Sequence, residues 1–568
     1  MDFVQIITEN TGENWINKVF GKLKTDKERF RIIYNFEKTR QPLIDVLSNV
    51  QEIYRRKNAE MSQKARFDAE RILKEGKMQK ALLLYSQSVL RAPAGQIARG
   101  ILITLNEENR ASVSFRLAEK LLAGKMKLGD LERDKRANFV AIKKLDRNAL
   151  PLIDGEPDSK VPSVSQKIAV KEKEGMGRYV TANKEIKTGE KLVVEAPYAA
   201  CLLPKMFGTH CHHCFERLVS PVGCPDCSNV AFCKPDCRNA ALSSYHKYEC
   251  KYLDLLLGSG MSILSHTAFR MITQNNLDRC LEIYKDRSKE KVYSLCTNAS
   301  IRQPIDFFQR TLMAAFLLRC LQKSGYFRAT DRNRILPSEE EYQVGELLLF
   351  HLQMLQFNAH EIYETESGPA GPIKGSKVTY IGVAIYPTVA LFNHQCYPAV
   401  MRYFVGKDIV IRASRPVEPQ QIVSENYGPI FTRKCLQERQ RSLSSRYWFT
   451  CNCDACKFNW PTMDGEMNDF SRQIKCPNKT CTHRFTLPMS KETLNCPKCS
   501  EIICLKENIK LLQWCEDQYK VGFKEVEANN SKKSGRNFLR SYRHFSQNFL
   551  PPTQDDTSGS RGSTKVFS

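Results

Sequence analysis

The sequence predicts an α+β chain: a helical N-terminal part, then short β-strands interrupted by a cysteine-dense module and a long helical stretch. Three observations carry that expectation. Apolar residues recur at the helical period up to about residue 150 and shift toward alternation beyond residue 166. The 22 cysteines fall mostly in three tight clusters between residues 211 and 499. At 568 residues, and roughly 150 per domain, the chain holds three or four folded units.

Lys and Arg number 86 against 62 Asp and Glu, a formal charge of +24, while 42% hydrophobic residues are enough to build cores. Disorder is excluded as the general state. The positive excess suits nucleic acid, anionic lipid or an anionic cofactor or partner, and it does not choose among them. The first ten residues carry two acidic groups and no apolar signal segment, and no apolar run nears the roughly 18 residues of a membrane span. The expectation is a soluble intracellular monomer, in nucleus and cytoplasm, with no membrane segment. In a reducing compartment clustered thiols read as metal ligands.

Residues 1–58 read as two amphipathic helices, 14–34 and 43–54, forming a packed cap. Residues 65–93 read as a helix pair broken around Gly76 and stopped by Pro93. Within it Ala81, Tyr85, Ser88 and Pro93 stand at spacings that resemble the second helix of a tetratricopeptide repeat, the alternative being an unrelated bundle. Helices at 106–122, opened by Asn109, Arg110 and Ala111, and at 131–145 would supply neighbours and complete a repeat region over 59–150. Residues 154–165, with two prolines, read as a linker. Strands are expected at 178–180 and Lys191–Glu195, then at 378–390, Val400–Val405, Asp408–Ala413 and 421–424. Between these sets lie helices, the most apolar at 309–321 and 346–358, and another helix is expected at 509–519. The tail 551–568, rich in Ser, Gly and Thr, reads as disordered.

Cys211, Cys214, Cys224, Cys227, Cys233, Cys237, His246 and Cys250 offer eight ligands within forty residues, enough for two closed tetrahedral zinc sites of structural type. Their spacing, x2, x9, x2, x5, x3, x8, x3, resembles the MYND zinc finger throughout. The resemblance implies interleaved sites, Cys211, Cys214, Cys233 and Cys237 for one ion and Cys224, Cys227, His246 and Cys250 for the other, leaving His212 and His213 out. So small a module needs its metal to fold, at about 10 kcal/mol per ion. Cys451, Cys453 and Cys456 are three thiols in six residues, one short of a tetrahedron. Cys476, Cys481, Cys496 and Cys499 form two pairs and read as a ribbon-like zinc site, the alternative being buried free thiols. Three or four zinc ions are expected in all.

Three further segments occur in order around the finger: GMGRYV at 175–180, NHQCYP at 393–398, and ENYGP at 425–429 followed by RYWFTCNC. Together with the finger they make the chain, over about residues 60–520, resemble the SET and MYND domain-containing family of protein-lysine methyltransferases. The resemblance implies a SET domain over 166–430, split by the finger at 211–250 and by a helical insertion at 251–375. It implies a zinc-bearing post-SET region at 431–504, in which Cys396 completes the site of Cys451, Cys453 and Cys456. Of the family's C-terminal helical array, 505–550 would be a beginning.

It also implies S-adenosylmethionine as cofactor. Gly175, Gly177 and Arg178 would lie against it, with glycines where a side chain would clash. Asn393, His394 and Asn358 would hydrogen-bond it, and Phe449 would stack on its adenine. Tyr427 would orient the substrate amine, with Tyr386 and Tyr447 lining a lysine channel. A free lysine has a pKa near 10.4 and must lose a proton before attack, which a nearby sulfonium and a water-poor channel favour without a dedicated base. Two departures stand out: Ala399 replaces the family's Asn, and Glu418-Pro419-Gln420-Gln421 replaces its Gly-Glu-Glu turn.

The function expected is therefore methylation of a protein lysine, histone or non-histone, with a role in transcriptional repression. The alternative is a non-catalytic adaptor whose finger and repeats recruit peptide partners, corepressors such as histone deacetylases among them. Direct nucleic-acid binding, resting on net charge and the basic run at 532–543, is not expected as the primary function, because such runs usually form a solvated face.

Overall fold

The computed structural model describes residues 3–48, 50–93, 149–218, 221–328, 336–366, 376–460, 462, 472–478, 481, 483–487 and 493–527. They fall into two compact units, one within residues 1–149, 197–362 and 380–385, the other within 150–196, 363–379 and 386–568. Among the described residues no helix is long and apolar enough to cross a membrane.

The first unit begins with α1 (Phe3–Thr11), α2 (Glu13–Lys18), α3 (Asp26–Asn35), α4 (Glu37–Asp45) and the single turn α5 (Val50–Ile53). The sequence pattern predicts only two helices here. Gly12, at φ +83°, separates α1 from α2, and a capping box between Thr25 and Glu28 starts α3 afresh. The predicted pair follows as α6 (Ala59–Lys74) and α7 (Met78–Arg91). Ala69, Ile72, Ala81 and Tyr85 form its core, and the Ser62 hydroxyl donates to Ser88 O at 2.8 Å across the two helices. Gly76, at φ +76°, makes the turn. The helices expected at 106–122 and 131–145, the run 532–543 and the tail 551–568 lie outside the described residues.

The second unit opens with β1 (Ile168–Lys173), β2 (Gly177–Ala182) and β3 (Lys191–Glu195). β1 and β2 make a hairpin, from Ile168 opposite Ala182 to Lys173 opposite Gly177. Residues 154–165 are not a free linker. Asp154 N–H donates to Lys191 O at 2.9 Å, Lys191 N–H returns to Asp154 Oδ2 at 2.8 Å, and Ser165, fully buried, donates N–H to Leu192 O at 2.8 Å. Composition suggested a linker; backbone pairing with β3 overrides it.

Back in the first unit, β4 (Ala199–Leu202) leads into the finger, built on β5 (Val222–Gly223), β6 (Ala231–Phe232), α8 (Pro235–Ser243) and α9 (His246–Glu249). Then come α10 (Leu253–Gly258), α11 (Ile263–Thr273), α12 (Leu277–Lys285), α13 (Pro304–Ser324) and α14 (Glu339–Asn358). α13 starts with Pro in its first turn, ends on Gly325 at φ +80°, and buries Phe308, Leu312, Ala315, Phe316 and Leu318 around most of its circumference. A Ser338–Glu341 capping box starts α14. β7 (Ala359–Glu366) and β8 (Lys377–Ile385) follow, with Leu202 to Ala199 of β4 opposite Gly382 to Ile385.

The second unit resumes with β9 (Val400–Val405) and β10 (Asp408–Ala413), at the predicted bounds, in a sheet ordered β3-β10-β9. α15 (Leu436–Tyr447) and α16 (Asp454–Lys457) lead to two hairpins, β11 (Arg472–Lys475) with β12 (Arg484–Leu487) and β13 (Thr493–Asn495) with β14 (Ile502–Cys504), and then α17 (Leu505–Glu527). The strand expected at 421–424 is reduced to isolated pairing: Ala182 N–H to Gln421 O and Val423 N–H to Val180 O, both 2.9 Å.

Candidate functional site

The finger's ligands gather into two groups, Cys211, Cys214, Cys233 and Cys237, and Cys224, Cys227, His246 and Cys250, the ligand atoms of each lying within 4.8 Å of one another. Cys214 and Cys233 Sγ are 3.5 Å apart, Cys224 and Cys250 Sγ 3.8 Å, and Cys227 Sγ and His246 Nε2 3.6 Å. A tetrahedron with Zn–S bonds of about 2.3 Å has edges of about 3.8 Å, so the donors fit zinc in type and spacing. The interleaving is as expected. His213 instead stacks on Tyr245, and His212 Nε2 meets Glu249 Oε1 at 2.8 Å.

Glu249 is a residue that sequence reasoning missed. Fully buried, it contacts His246 Nδ1 at 3.1 Å, His266 Nε2 at 2.7 Å and Arg270 Nη2 at 2.7 and 2.9 Å. Burial works to raise its carboxyl, yet Arg270, His266, His212 and His246 together hold it well below the usual carboxylate range. A carboxylate on the far nitrogen of a ligating imidazole fixes the ring's tautomer and direction. Its charge is taken up by Arg270, so it acts as a support and not as a further metal ligand.

In the second unit Cys396, Cys451, Cys453 and Cys456 form a third group, and Cys476, Cys481, Cys496 and Cys499 a fourth. Cys396 and Cys456 Sγ are 3.4 Å apart, as are Cys476 and Cys499, and Cys481 and Cys496 are 3.7 Å apart. The fourth group sits at the ends of the two short hairpins, over Ile474, Phe485 and Ile503. In the third group hydrogen bonds drive the Cys453 thiol far down and push that of Cys396 far up. Four thiols so close cannot all ionise unless a cation lies among them. The cysteine groups thus support zinc binding.

Cys396 ties the third group to the remaining motifs. Glu425 N–H donates to Asn393 O and Gln395 N–H to Glu425 O, both at 2.9 Å, a parallel pairing of His394 with Glu425. Tyr427 N–H donates to His394 Nδ1 at 3.0 Å, which puts the ring proton on Nε2, 3.4 Å from Cys396 Sγ. Both ring nitrogens are engaged within the chain, and burial draws the imidazole down to about 4, so it is neutral at pH 7. Asn393 Nδ2 lies 3.4 Å from Met176 O in the β1–β2 turn. On either side of Met176, Gly175 and Gly177 have φ of +75° and +63°, and an added Cβ at either would meet nothing within 4 Å. Arg178 follows, opposite Glu172.

The Tyr427 hydroxyl donates to Phe392 O at 2.7 Å, and Tyr447 OH donates to Tyr427 O at 3.3 Å. The Tyr427 ring lies 5.0 Å from Tyr447, 5.3 Å from His394 and 6.5 Å from Phe449. These four rings make one aromatic cluster. Tyr386 is different: it is fully enclosed, its hydroxyl donating to Lys407 O at 2.5 Å, which is the position of a support rather than a channel wall. Asn358 belongs to the first unit, where its amide donates to Cys296 O at 2.8 Å and Met354 O at 2.7 Å. Two further carboxylates were not foreseen. Buried Glu425 is ion-paired with Arg402, and Glu195 accepts Thr388 and Val389 N–H at 3.0 and 3.1 Å, holding the turn that leads to Asn393.

Residues 211–250 match the family model of the MYND finger, which defines the class of module that the first two metal groups build. Beyond the finger the chain is 24% identical to protein-lysine N-methyltransferase SMYD4 of Mus musculus over 70% of this chain and 58% of the mouse protein. It is 26% identical to the Homo sapiens protein of the same name over 50% of this chain and 45% of that protein. A SET and MYND domain-containing protein of Dictyostelium discoideum is 21% identical over 59% of this chain and 96% of its own length. These likenesses support kinship with the SET and MYND domain-containing family. It spans about half the length of the mouse and human relatives it matches.

Proposed function

We propose that the chain is an S-adenosylmethionine-dependent methyltransferase acting on protein lysine, of histones or other proteins, in nucleus and cytoplasm. The observation that carries the reading is the single cluster in which the β1–β2 turn, Asn393, His394, Tyr427 and Phe449 meet beside a four-cysteine group. The names of the relatives support it. With it go a SET domain over 166–430 interrupted by the finger and a helical insertion, a post-SET zinc region over 431–504, and a tetratricopeptide-like character for the N-terminal pair.

S-adenosylmethionine, when bound, supplies an electrophilic methyl group on a sulfonium. Gly175 and Gly177 fit that ligand, since their left-handed backbone and open flanks admit it against the main chain. In this parallel pairing Glu425 turns both its N–H and its C=O to the partner strand while those of His394 point away from it, so the His394 main chain, not its ring, would meet the adenine. The neutral His394 ring holds Tyr427 in place through the Tyr427 N–H. Phe449 covers one side.

Because the Tyr427 proton is committed to Phe392 O, the phenol oxygen faces the site as an acceptor and can align a lysine amine. The amine gives its proton to solvent before attack, and the loss of water on entering the site disfavours the ammonium form. Catalysis then rests on alignment and electrostatics. The test is radiolabelled methyl transfer to histones and cell extract with Tyr427→Phe beside wild type. The variant should keep cofactor affinity and lose roughly ten- to a thousandfold in single-turnover rate. Equal rates would remove Tyr427 from the mechanism, and a wild type that binds cofactor but transfers nothing would refute the enzyme.

A further inference from the structure

Between α5 and α6 the chain runs through Tyr54, Arg55, Arg56 and Lys57 along the finger's second metal group. Arg56 pairs antiparallel with Cys227. Ser228 donates its N–H to Arg55 O at 2.9 Å and its hydroxyl to Arg56 O at 2.8 Å. Arg55 N–H donates to Asp254 Oδ2 at 2.9 Å, its Nε lies 3.2 Å from Asp254 Oδ1, and Asn229 Nδ2 holds the same carboxylate at 3.0 Å. Tyr54 OH is 3.6 Å from Cys250 Sγ. Lys57 Nζ donates to Leu90 O at 2.5 Å, and a Cβ on Gly223 would stand 3.3 Å from it.

These contacts have the make-up of peptide recognition. A main-chain bond from Ser228, beside the antiparallel pairing of Arg56 with Cys227, adds a strand to the finger, while a side-chain ion pair at Asp254 and a hydroxyl at a ligating sulfur select what is added. A zinc ion held by three thiolates and a neutral imidazole carries a net negative charge, so an O–H donor and three successive cations suit it. We propose that this edge of the finger is a strand-addition site for an extended segment of aromatic-basic-basic-basic sequence, and that residues 54–57 occupy it in cis. A partner peptide of that chemistry gains the edge only when the segment leaves. Because α6 follows at once, with Asn58 N–H donating to Arg91 O at 2.8 Å, the occupied edge also holds the first turn of the α6–α7 pair to the finger.

The proposal rests on the finger alone and is independent of methyl transfer. The experiment uses the full zinc-loaded chain, Arg55→Glu, and a fluorescein-labelled peptide of residues 50–60. A tethered segment competes at an effective concentration of about millimolar, so wild type should show no binding at tens of micromolar peptide. Arg55→Glu sets two carboxylates against each other, frees the edge, and should bind the peptide at least tenfold more tightly at unchanged zinc content. The double variant Arg55→Glu, Asp254→Lys should lose that binding again. Peptide binding to neither protein, or to both alike, overturns the proposal. Hydrogen exchange keeps it falsifiable if the variant loses zinc: in wild type the Arg55 and Ser228 amides should be protected together, and exchange at the rate of free peptide would overturn it.

Discussion

Replacing Arg270 by Met should be among the most costly single changes in the first unit. Arg270 is buried on α11, and its Nη2 reaches both oxygens of Glu249 at 2.7 and 2.9 Å. Nη1 donates to Ala200 O at 2.7 Å, and the guanidinium lies 4.1 Å from the centre of the Tyr245 ring. Methionine restores much of the volume but leaves Glu249 buried with no permanent cation. Removing one partner of such a pair costs about 3–5 kcal/mol, a large part of the 5–15 kcal/mol by which a domain is stable. The loss should be read locally, by denaturant-dependent hydrogen exchange of Ile263–Thr273 at saturating zinc, because a metal-bearing chain of two units does not unfold in one step. Zinc affinity should fall 10- to 100-fold as well, since Glu249 holds His246 by Nδ1. Combined with Glu249→Gln, the cost should be less than the sum of the singles by at least about 1 kcal/mol. A loss under about 1 kcal/mol with zinc affinity unchanged would show that the pair is not what ties the finger to α11.

Elemental analysis should find four zinc ions per chain, and Cys496→Ser with Cys499→Ser should leave three; a count of three in the unaltered protein would reduce the fourth group to paired thiols. S-adenosylmethionine should raise the melting temperature of the wild type by mass action. His394→Ala, which keeps the main chain but removes the acceptor that seats Tyr427 N–H, should reduce that shift, and a shift equal to that of wild type would detach the ring from the site. Gln420, held at φ +71° in the turn closed by Gln421 N–H to Glu418 O, should gain about 1 kcal/mol on replacement by Gly, measured by urea unfolding followed in the second unit; a loss would mean that its 2.7 Å bond from Lys171 outweighs the backbone strain.

What could be read from the sequence was what chemistry confines to short spacings. Sixteen candidate ligands were legible because zinc demands soft donors at short spacings, whereas the interleaving of the finger's eight and the partners of Cys396 came from family resemblance. β3 and β10 were legible because each carries a short run of buried apolar residues, Leu192-Val193 and Ile409-Val410-Ile411, of the type that favours strands. β1 was not, since IAVKEK is almost wholly exposed and has no apolar face to announce it. The course of 154–165 beside β3 depends on main-chain bonds that composition does not encode. Glu249, Arg270 and His266 escaped for another reason: their partners are 17 to 37 residues away, and a charge inside an apolar helix looks the same in sequence whether it is buried or turned to water.

One residue separates His394 from Cys396, and the Cys396 N–H itself donates to Cys453 Sγ at 3.4 Å. A chelator or an oxidant that strips the third group therefore acts on the same few backbone atoms that carry Asn393 and seat Tyr427. Such reagents are expected to abolish turnover as fully as they would in a hydrolase that uses its metal as a Lewis acid. Inhibition by chelators would here report the loss of a clasp, and restoration by any tetrahedral thiophilic dication, cadmium included, would tell the two apart.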